Sequence, residues 1–220
     1  MPRICVVLLS GGLDSTTALY WAMARGFSPV ALAVRYGQRH ERELRAARQV
    51  AKRAGVALHE ISLRLPWLKS SSLVDRGQRL PDTPLSRIGR DGIPSTYVPA
   101  RNSILLSIGI SLADALGAEA VIYGANALDY SGYPDCRPEF IAAFSRAARL
   151  GTRRGKMRIL APLSRLDKRR IALLAARLRA PMELTWSCYQ GGAHPCRSCD
   201  SCKLRAKGFE EAGLADPALS

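Results

Sequence analysis

Short apolar runs alternate along the chain with segments in which apolar residues recur every three or four positions. The runs have the length of buried strands and occupy residues 4–9, 29–36, 56–63, 120–124 and 157–161. Helical spacing begins at Ser15 and recurs at residues 44–54, 103–116, 138–150 and 167–178. Strands separated by helices imply right-handed crossovers, so the pattern predicts an α/β fold with a Rossmann-like parallel sheet and helices on both faces.

Polar loops follow three of these predicted strands. Ligands of such sheets bind outside the carboxyl ends of the strands. Residues 10–15, 36–39 and 124–137 should therefore meet at one edge of the sheet, although they lie far apart in sequence. We expect the binding site at this edge.

The chain is long enough for one full hydrophobic core and a small appendage. We expect an α/β domain over residues 1–180 and a separate C-terminal segment over residues 181–220. Residues 64–96 contain three consecutive serines and several prolines and glycines. An irregular stretch of this length is usually a binding loop, a lid or partly disordered, and we favour a mobile lid.

The most informative motif is SGGLDS at residues 10–15, between the first strand and the first helix. Two glycines permit positive φ angles, and the free N–H groups at the start of a helix attract anions, which favours a nucleotide polyphosphate. The order of residues is neither a Walker motif nor a dinucleotide motif, and a plain Gly-Gly turn is the alternative. The predicted ATP-binding residues around this junction are Leu8, Leu9, Ser10, Gly11, Gly12, Leu13, Asp14, Ser15, Thr16, Thr17 and Ala18.

Four further residues extend the predicted nucleotide site, and a lysine joins them. Tyr36 and Gln38 end the second strand, where they either hold adenine and ribose or form an ordinary polar turn. Arg101 and Asn102 stand at the start of a helix, where Arg101 can offer two donors to a phosphate or a carboxylate, and an ordinary helix start is the alternative. Lys168 starts another helix near the same edge, where it would bind phosphate as a point charge, and a solvated lysine without a ligand is the alternative.

The loop at residues 129–138 combines aromatic rings, carboxylates and an arginine. Rings that stack and carboxylates that accept from amidine-like N–H groups suit a flat heterocycle, and a well-structured loop without a ligand is the alternative. Cys136 is predicted to be only a wall of this pocket. The predicted substrate-binding residues are Asp129, Tyr130, Tyr133, Asp135 and Arg137.

The spacing of the cysteines predicts a metal centre. Cys188, Cys196, Cys199 and Cys202 fall within fifteen residues, whereas Cys5 lies in the first strand. Four thiolates complete a tetrahedron around one Zn²⁺, and such a closed shell is structural. An iron–sulfur cluster is the competing interpretation, because three close cysteines and a more distant one also fit that pattern.

The chain is strongly basic, with 33 Lys and Arg against 18 Asp and Glu and a net charge of +15. The arginines are dispersed, and anionic small ligands explain part of the charge, so we expect no nucleic-acid partner. No run approaches 18 apolar residues, and no cleavable signal precedes the first strand. We therefore expect a cytoplasmic protein without a membrane segment.

The motifs together resemble the 7-cyano-7-deazaguanine synthase family of queuosine biosynthesis, and the likeness runs along nearly the whole chain. The motif at residues 10–15 is similar to the pyrophosphatase loop of ATP-adenylating enzymes. The other matching segments are YGQRH at 36–40, VPARN at 98–102, SGYPDCRPEF at 131–140, TWSC at 185–188 and CRSCDSCKLRAKG at 196–208. The resemblance implies a fold of the adenine nucleotide alpha hydrolase type, a four-cysteine Zn²⁺ site and a homodimer.

The resemblance also implies a reaction. It would convert 7-carboxy-7-deazaguanine, ammonia and ATP into the 7-cyano compound, through an adenylated acid and an adenylated amide, with Mg²⁺. The catalytic residues would be Ser10, Asp14, Ser15 and Lys168, with Asp14 either a Mg²⁺ ligand or a helix cap. The rival hypotheses are an RNA-modifying adenylase that holds tRNA with its positive charge and a nucleotide sensor without catalysis.

Overall fold

A five-stranded sheet lies at the centre of the protein. The structure is a computed structural model that describes residues 2–90 and 92–219 and, within them, every side chain except those of Lys69, Tyr130 and Ser131. The strands are β1 (Arg3–Leu8), β2 (Phe27–Arg35), β3 (Leu58–Ser62), β4 (Ala120–Ile122) and β5 (Arg158–Leu160). They are all parallel, in the order β3-β2-β1-β4-β5. Each predicted strand is present, and the fold class is confirmed.

Helices connect the strands. Those in the described ranges are α1 (Leu13–Ala24), α2 (Arg42–Ala54), α3 (Arg101–Ala115), α4 (Asp129–Gly132), α5 (Pro138–Leu150), α6 (Lys168–Arg177) and α7 (Asp200–Ala212). The predicted stop of α2 is confirmed, because Gly55 follows it in the left-handed conformation at φ 67°. The predicted cap of α6 is also confirmed, because the Asp167 carboxylate accepts from the Arg170 N–H. The apolar spacing does not predict α4 or α7.

Two hydrophobic cores cover the two faces of the sheet. Val7 packs in one core with Leu19 of α1 and Ile171 of α6, whereas Val6 packs in the other with Leu106 of α3. Successive side chains of a strand point to opposite faces, so adjacent residues of β1 enter different cores. The prediction of helices on both faces is confirmed.

The strand order changes direction at β1. The chain runs from β1 to β2 and β3 on one side, and then returns to β4 and β5 on the other. The loops that leave β1 and β4 therefore diverge and open a crevice at the carboxyl edge, which is where open α/β sheets bind ligands. Residues 9–12 and 123–128 follow these two strands.

Residues 64–96, here called the lid segment, contain no strand among the described residues and one short 3-10 turn, Pro66–Ser70. The Ser72 N–H donates to the Ser95 carbonyl at 2.8 Å, and the side chains of Ser71 and Ser72 are buried. The segment thus folds on itself and packs against the domain. Its mobility stays a prediction.

The C-terminal segment packs on the rest of the chain through α7. A Cβ atom at Gly208 would lie 2.6 Å from the Cβ of Lys168, so only glycine lets α7 approach the start of α6 this closely. Phe209 belongs to the same core as Val7. The division of the chain at residue 180 stays a prediction. Among the described helices, none is both long and apolar enough to span a bilayer.

Candidate active site

A cavity of about 580 Å³ opens at the carboxyl edge of the sheet. Its walls come from the loops after β1, β2 and β4, from the lid segment and from the first turns of α3, α6 and α7. Each of the three polar loops predicted to meet at this edge contributes to it. The predicted site residues that line the cavity are Leu8, Leu9, Ser10, Gly12, Leu13, Asp14, Ser15, Tyr36, Gln38, Arg101, Asn102, Asp129, Tyr133 and Lys168.

The loop after β1 presents main-chain N–H groups to this cavity. Gly12 is the N-cap of α1, and no side chain caps the helix. The first N–H groups of a helix have no partner within the helix, so those of Leu13, Asp14 and Ser15 remain available beside the cavity. The Ser10 and Ser15 hydroxyl oxygens lie 3.0 Å apart at the same place. The loop therefore has the donors and the positive helix end that an anion needs.

Close backbone packing explains the glycines around the loop. Gly11 has φ +85°, and a Cβ atom there would lie 2.2 Å from the carbonyl oxygen of Glu43 and 2.5 Å from the main-chain nitrogen of Ala47. A Cβ at Gly124 would lie 2.9 Å from the main-chain nitrogen of Ser15. Helix α2 and the end of β4 thus hold the start of α1 from two sides.

Asp14 connects the loop to two distant parts of the chain. Its Oδ2 accepts from Lys168 Nζ at 2.6 Å and from Asn126 Nδ2 at 2.9 Å. Its Oδ1 is buried without a hydrogen-bond partner. Because no side chain caps α1, the carboxylate does not act as a helix cap. A buried carboxylate oxygen without a donor can still accept a cation.

Asp129 lies beside this group at the start of α4. Its Oδ2 accepts from the Asn126 N–H at 3.0 Å. Burial raises the pKa of Asp129 to about 6, the charge of Lys168 lowers it, and the charge of Asp14 raises it further. Asn126 touches both carboxylates, yet sequence reasoning missed it as a site residue. The available signal was its position in the polar loop that follows β4.

The loop after β2 supplies a second polar wall. Arg101 Nη1 donates to the Tyr36 hydroxyl at 3.4 Å, and Gln38 accepts from the Tyr36 N–H at 2.9 Å. Glu43 in the first turn of α2 also lines the cavity, and sequence reasoning missed it. Burial raises the pKa of Glu43 to about 7, although the Arg101 guanidinium opposes the shift. The available signal was a carboxylate next to Leu44, in the first turn of the helix that follows the loop after β2.

The substrate-loop residues divide into two groups. Tyr133 lines the cavity and shares a hydrogen bond of 2.7 Å with Thr96 of the lid segment. Asp135 is buried away from the cavity lining, and its Oδ2 accepts from the Asn102 N–H at 2.9 Å, at the start of α3. Arg137 is exposed as the N-cap of α5. The side chain of Tyr130 lies outside the described part of the chain.

Some predicted nucleotide residues lie behind the cavity surface. Gly11, Thr16, Thr17 and Ala18 are buried and do not line it. The Thr17 hydroxyl donates to the Leu13 carbonyl at 2.7 Å within α1. Gly11 lies within the loop itself, whereas Thr16, Thr17 and Ala18 support the loop from inside α1.

Cys136 forms part of the cavity wall. Its Sγ accepts from Asn102 Nδ2 at 3.1 Å, and the thiol is buried. Burial raises the pKa of Cys136, so the thiol stays protonated at neutral pH. A protonated thiol is a poor nucleophile, which agrees with the predicted role as a wall.

The four C-terminal cysteines form one compact group. Cys188, Cys196, Cys199 and Cys202 place their sulfur atoms within 4.8 Å of one another, and the Sγ atoms of Cys196 and Cys202 are 3.9 Å apart. The Cys188 sulfur also accepts main-chain N–H groups at 3.3 and 3.4 Å. A tetrahedral ion with metal–sulfur bonds of about 2.3 Å would separate its thiolates by about 3.8 Å. The group therefore fits a single metal ion.

The sequence is similar to those of known proteins over almost its full length. The family model described as queuosine biosynthesis protein QueC matches residues 4–213. The 7-cyano-7-deazaguanine synthase of Thermoplasma volcanium is 48% identical over 220 residues, which cover 99% of this chain and 90% of that protein.

Solved structures share the fold at low sequence identity. NMN synthetase from Francisella tularensis is 16% identical with a TM-score of 0.53, over 97% of this chain and 88% of that one. A 4-thiouridine synthetase in a complex with RNA and bound ATP is 18% identical with a TM-score of 0.51, over 96% of this chain and 50% of that one. These two likenesses concern the fold alone. The sequence comparisons reach further and confirm the resemblance: the chain belongs to the QueC family of queuosine biosynthesis, and it is an enzyme of the 7-cyano-7-deazaguanine synthase type.

Proposed function

We propose that the cavity converts 7-carboxy-7-deazaguanine, ammonia and ATP into 7-cyano-7-deazaguanine by two successive adenylations. One observation carries the proposal: the anion-binding start of α1 and the loop with Asp129 and Tyr133 face the same cavity. A polyphosphate and a flat heterocycle can thus be held side by side. Positioning of this kind is the main contribution that an enzyme makes to nucleotidyl transfer.

The chemistry requires activation because a carboxylate is a poor electrophile whose leaving group would be oxide. Its oxygen attacks the α-phosphorus of ATP, and pyrophosphate departs. Ammonia then attacks the acyl carbon, the bond to AMP breaks, and an amide forms with loss of a proton. The amide oxygen is adenylated by a second ATP, and loss of AMP and protons leaves the nitrile. The reaction therefore consumes two ATP for each nitrile.

The residues around the loop supply charge stabilisation for these steps. The N–H groups at the start of α1 and the hydroxyls of Ser10 and Ser15 would bind the polyphosphate. Lys168, which the Asp14 carboxylate holds beside the loop, would balance negative charge on the departing pyrophosphate. The buried Oδ1 of Asp14 suits a Mg²⁺ ligand, and bound Mg²⁺ would neutralise phosphate oxygens.

The other cavity wall would bind the heterocycle. Asp129 would accept N–H groups from its amidine-like edge, and Tyr133 would contact the ring. Arg101 lines the cavity and would pair with the carboxylate of the substrate or with a phosphate. No covalent nucleophile is needed, which agrees with the protonated state of Cys136.

The test is product analysis by mass spectrometry. Purified enzyme with the carboxylate, ATP, Mg²⁺ and ammonium should yield the nitrile, AMP and pyrophosphate. An amide as the final product would contradict the second adenylation. ATP binding without release of AMP would favour the sensor. Salt-sensitive binding of tRNA in a gel shift would favour the RNA-modifying adenylase, whereas we expect no nucleic-acid partner.

We further propose that the four cysteines hold Zn²⁺ in a structural site. The short distances among the sulfur atoms support this choice, because a four-iron cluster binds each thiolate to a different iron and so holds the thiolates farther apart. Elemental analysis should find one equivalent of zinc in a colourless protein. Brown protein that contains iron would overturn the assignment.

The oligomeric state and the cellular location are also part of this proposal. We expect a homodimer, which light scattering of the purified protein can test. We expect the protein in the cytoplasm, where reduced thiols persist and can hold a metal. Fractionation of cells that express the tagged protein checks this expectation.

A further inference from the structure

A pair of residues outside the proposed chemistry joins the metal-binding segment to the lid segment. Asp200 is the first residue of α7 and stands between Cys199 and Cys202. Its Oδ1 accepts from the Thr83 N–H at 2.7 Å, and its Oδ2 accepts from the Thr83 hydroxyl at 3.0 Å. Both carboxylate oxygens of Asp200 thus accept hydrogen bonds from one residue of the lid segment.

Neighbouring contacts strengthen this junction. Lys203 Nζ donates to the Thr83 carbonyl at 2.8 Å and pairs with the Asp82 carboxylate. The Asp200 N–H donates to the Pro81 carbonyl at 3.3 Å. Asp200 is only 9% exposed, so its hydrogen bonds are shielded from competing water.

The junction forms part of the cavity wall. Pro81 and Thr83 line the cavity from the lid segment, and Asp200, Ser201 and Leu204 line it from α7. If the two segments separated, this side of the cavity would open to solvent.

We propose that Asp200 and Thr83 form a latch that closes the lid segment over the cavity, and that the four-cysteine centre positions Asp200 for this task. The inference rests on the proposed function, because closure protects the adenylated acid. Water that reaches this intermediate attacks the acyl carbon and breaks its bond to AMP. The products are the starting carboxylate, AMP and protons, so ATP is spent without product.

The metal-binding loop fixes the orientation of Asp200. The Cys199 N–H donates to the Cys196 sulfur at 3.3 Å, and the Lys203 N–H donates to the Cys199 carbonyl at 3.0 Å. A metal bound to the cysteines on both sides of Asp200 holds the first turn of α7 in place. Asp200 is therefore a positioning residue and does not take part in the chemical steps.

The experiment compares Asp200→Ala and Thr83→Val with two controls. Thr83→Ser keeps the hydroxyl, and Asp75→Asn changes a carboxylate that accepts from the Gly77 N–H and from Gln78, both within the lid segment. The first readout is the amount of AMP formed for each nitrile, which is two when no intermediate is lost. The second is hydrogen exchange of the lid-segment amides, including that of Thr83.

Both latch variants should raise the AMP-to-nitrile ratio severalfold and speed exchange over residues 80–84 by about tenfold, the size expected when a charge-assisted hydrogen bond is lost. Thr83→Ser and Asp75→Asn should resemble the wild type in both readouts. Removal of the metal by a chelator should accelerate exchange over the same residues, with no substrate present.

An unchanged ratio and unchanged exchange in both latch variants would overturn the inference. If Asp200→Ala fails to fold, the ratio and the exchange of Thr83→Val alone test the latch. If the wild type releases no AMP, the proposed function fails, and the exchange data alone then decide the latch. Exchange that is insensitive to the chelator would overturn the role of the cysteine centre.

Discussion

The two carboxylate oxygens of Asp14 have different surroundings in the candidate site. One of its carboxylate oxygens receives donors from Lys168 and Asn126, and the other is buried without a partner. The arrangement holds the Lys168 ammonium near the loop that follows β1 and leaves one carboxylate oxygen free to accept a cation.

The change Asp14→Asn should lower turnover by about 100-fold or more, because it removes the proposed Mg²⁺ ligand and the partner of Lys168. Pyrophosphate release measures the effect, and circular dichroism checks the fold. The control Glu183→Gln removes a carboxylate from an exposed ion pair with Arg53 and should leave turnover intact. Full activity of Asp14→Asn would exclude the carboxylate from the mechanism.

Asp129 gives a prediction of pH dependence. Burial raises its pKa from 3.8 to about 6. If its carboxylate accepts N–H groups of the substrate, protonation weakens binding, so kcat/KM should fall as the pH decreases through about 6. Glu43, with a pKa of about 7, titrates nearby. Asp129→Asn should therefore raise KM and remove only the part of the profile near pH 6, and an unchanged profile would contradict this assignment.

The raised pKa of Asp129 also makes the free energy of unfolding depend on pH. The folded protein holds a proton on Asp129 between about pH 4 and pH 6 that the unfolded chain has lost. The contribution of Asp129 to the free energy of unfolding therefore decreases as the pH rises through this window. Asp129→Asn should lack this decrease in denaturant titrations at the two pH values.

At the scale of elements, close backbone contacts with α2 and with the end of β4 support the loop between β1 and α1. At Gly11 a positive φ coincides with backbone atoms 2.2 and 2.5 Å from where a Cβ would lie, whereas Gly26 has φ +75° and open space around it. A comparison of the two glycines therefore distinguishes the free energy lost through backbone strain from that lost through steric crowding.

Gly11→Ala should destabilise the protein by about 3 kcal/mol or more, because the new methyl group displaces α2 as well as straining the backbone. Gly26→Ala should cost only about 1 to 2 kcal/mol from the left-handed conformation. Urea unfolding of both variants measures the difference. Equal losses would show that α2 can move away from the loop easily.

Helix α7 shows why sequence periodicity missed one element. Its buried side chains include Arg205, which pairs with Asp216 at 2.6 Å and donates to the Thr185 hydroxyl at 2.8 Å. Its first turn lies beside the metal-binding cysteines. The helix is therefore buried largely through polar and thiol groups, and it lacks the apolar stripe from which a helix is predicted.

For the whole molecule, the cysteine group should stabilise the C-terminal segment and, through α7, the main core. Cys199→Ser should lose the metal and lower Tm by several degrees, because metal binding contributes directly to folding. The control Cys136→Ser changes a cavity-wall thiol and should keep both the metal and turnover. Metal analysis and thermal unfolding measure these effects. Complete loss of turnover in Cys136→Ser, with substrate still bound, would contradict its role as a wall.

The sequence by itself determined the features that depend on neighbouring residues. The alternation of strands and helices, the glycine-containing loop at residues 10–15 and the cysteine spacing each lie within short segments, where the local conformation follows from residue type. These features were sufficient to predict the α/β fold, the sheet edge at which the cavity opens and the compact cysteine group.

Only the tertiary structure decided which distant side chains meet. Asn126 and Lys168 reach Asp14 across 112 and 154 positions of sequence, and Thr83 reaches Asp200 across 117. Such contacts depend on strand order and on how closely helices pack, so no local pattern encodes them. The same packing turned Asp135 toward the start of α3 and brought Glu43 to the cavity, because each side chain takes the partner or the space that its folded surroundings provide.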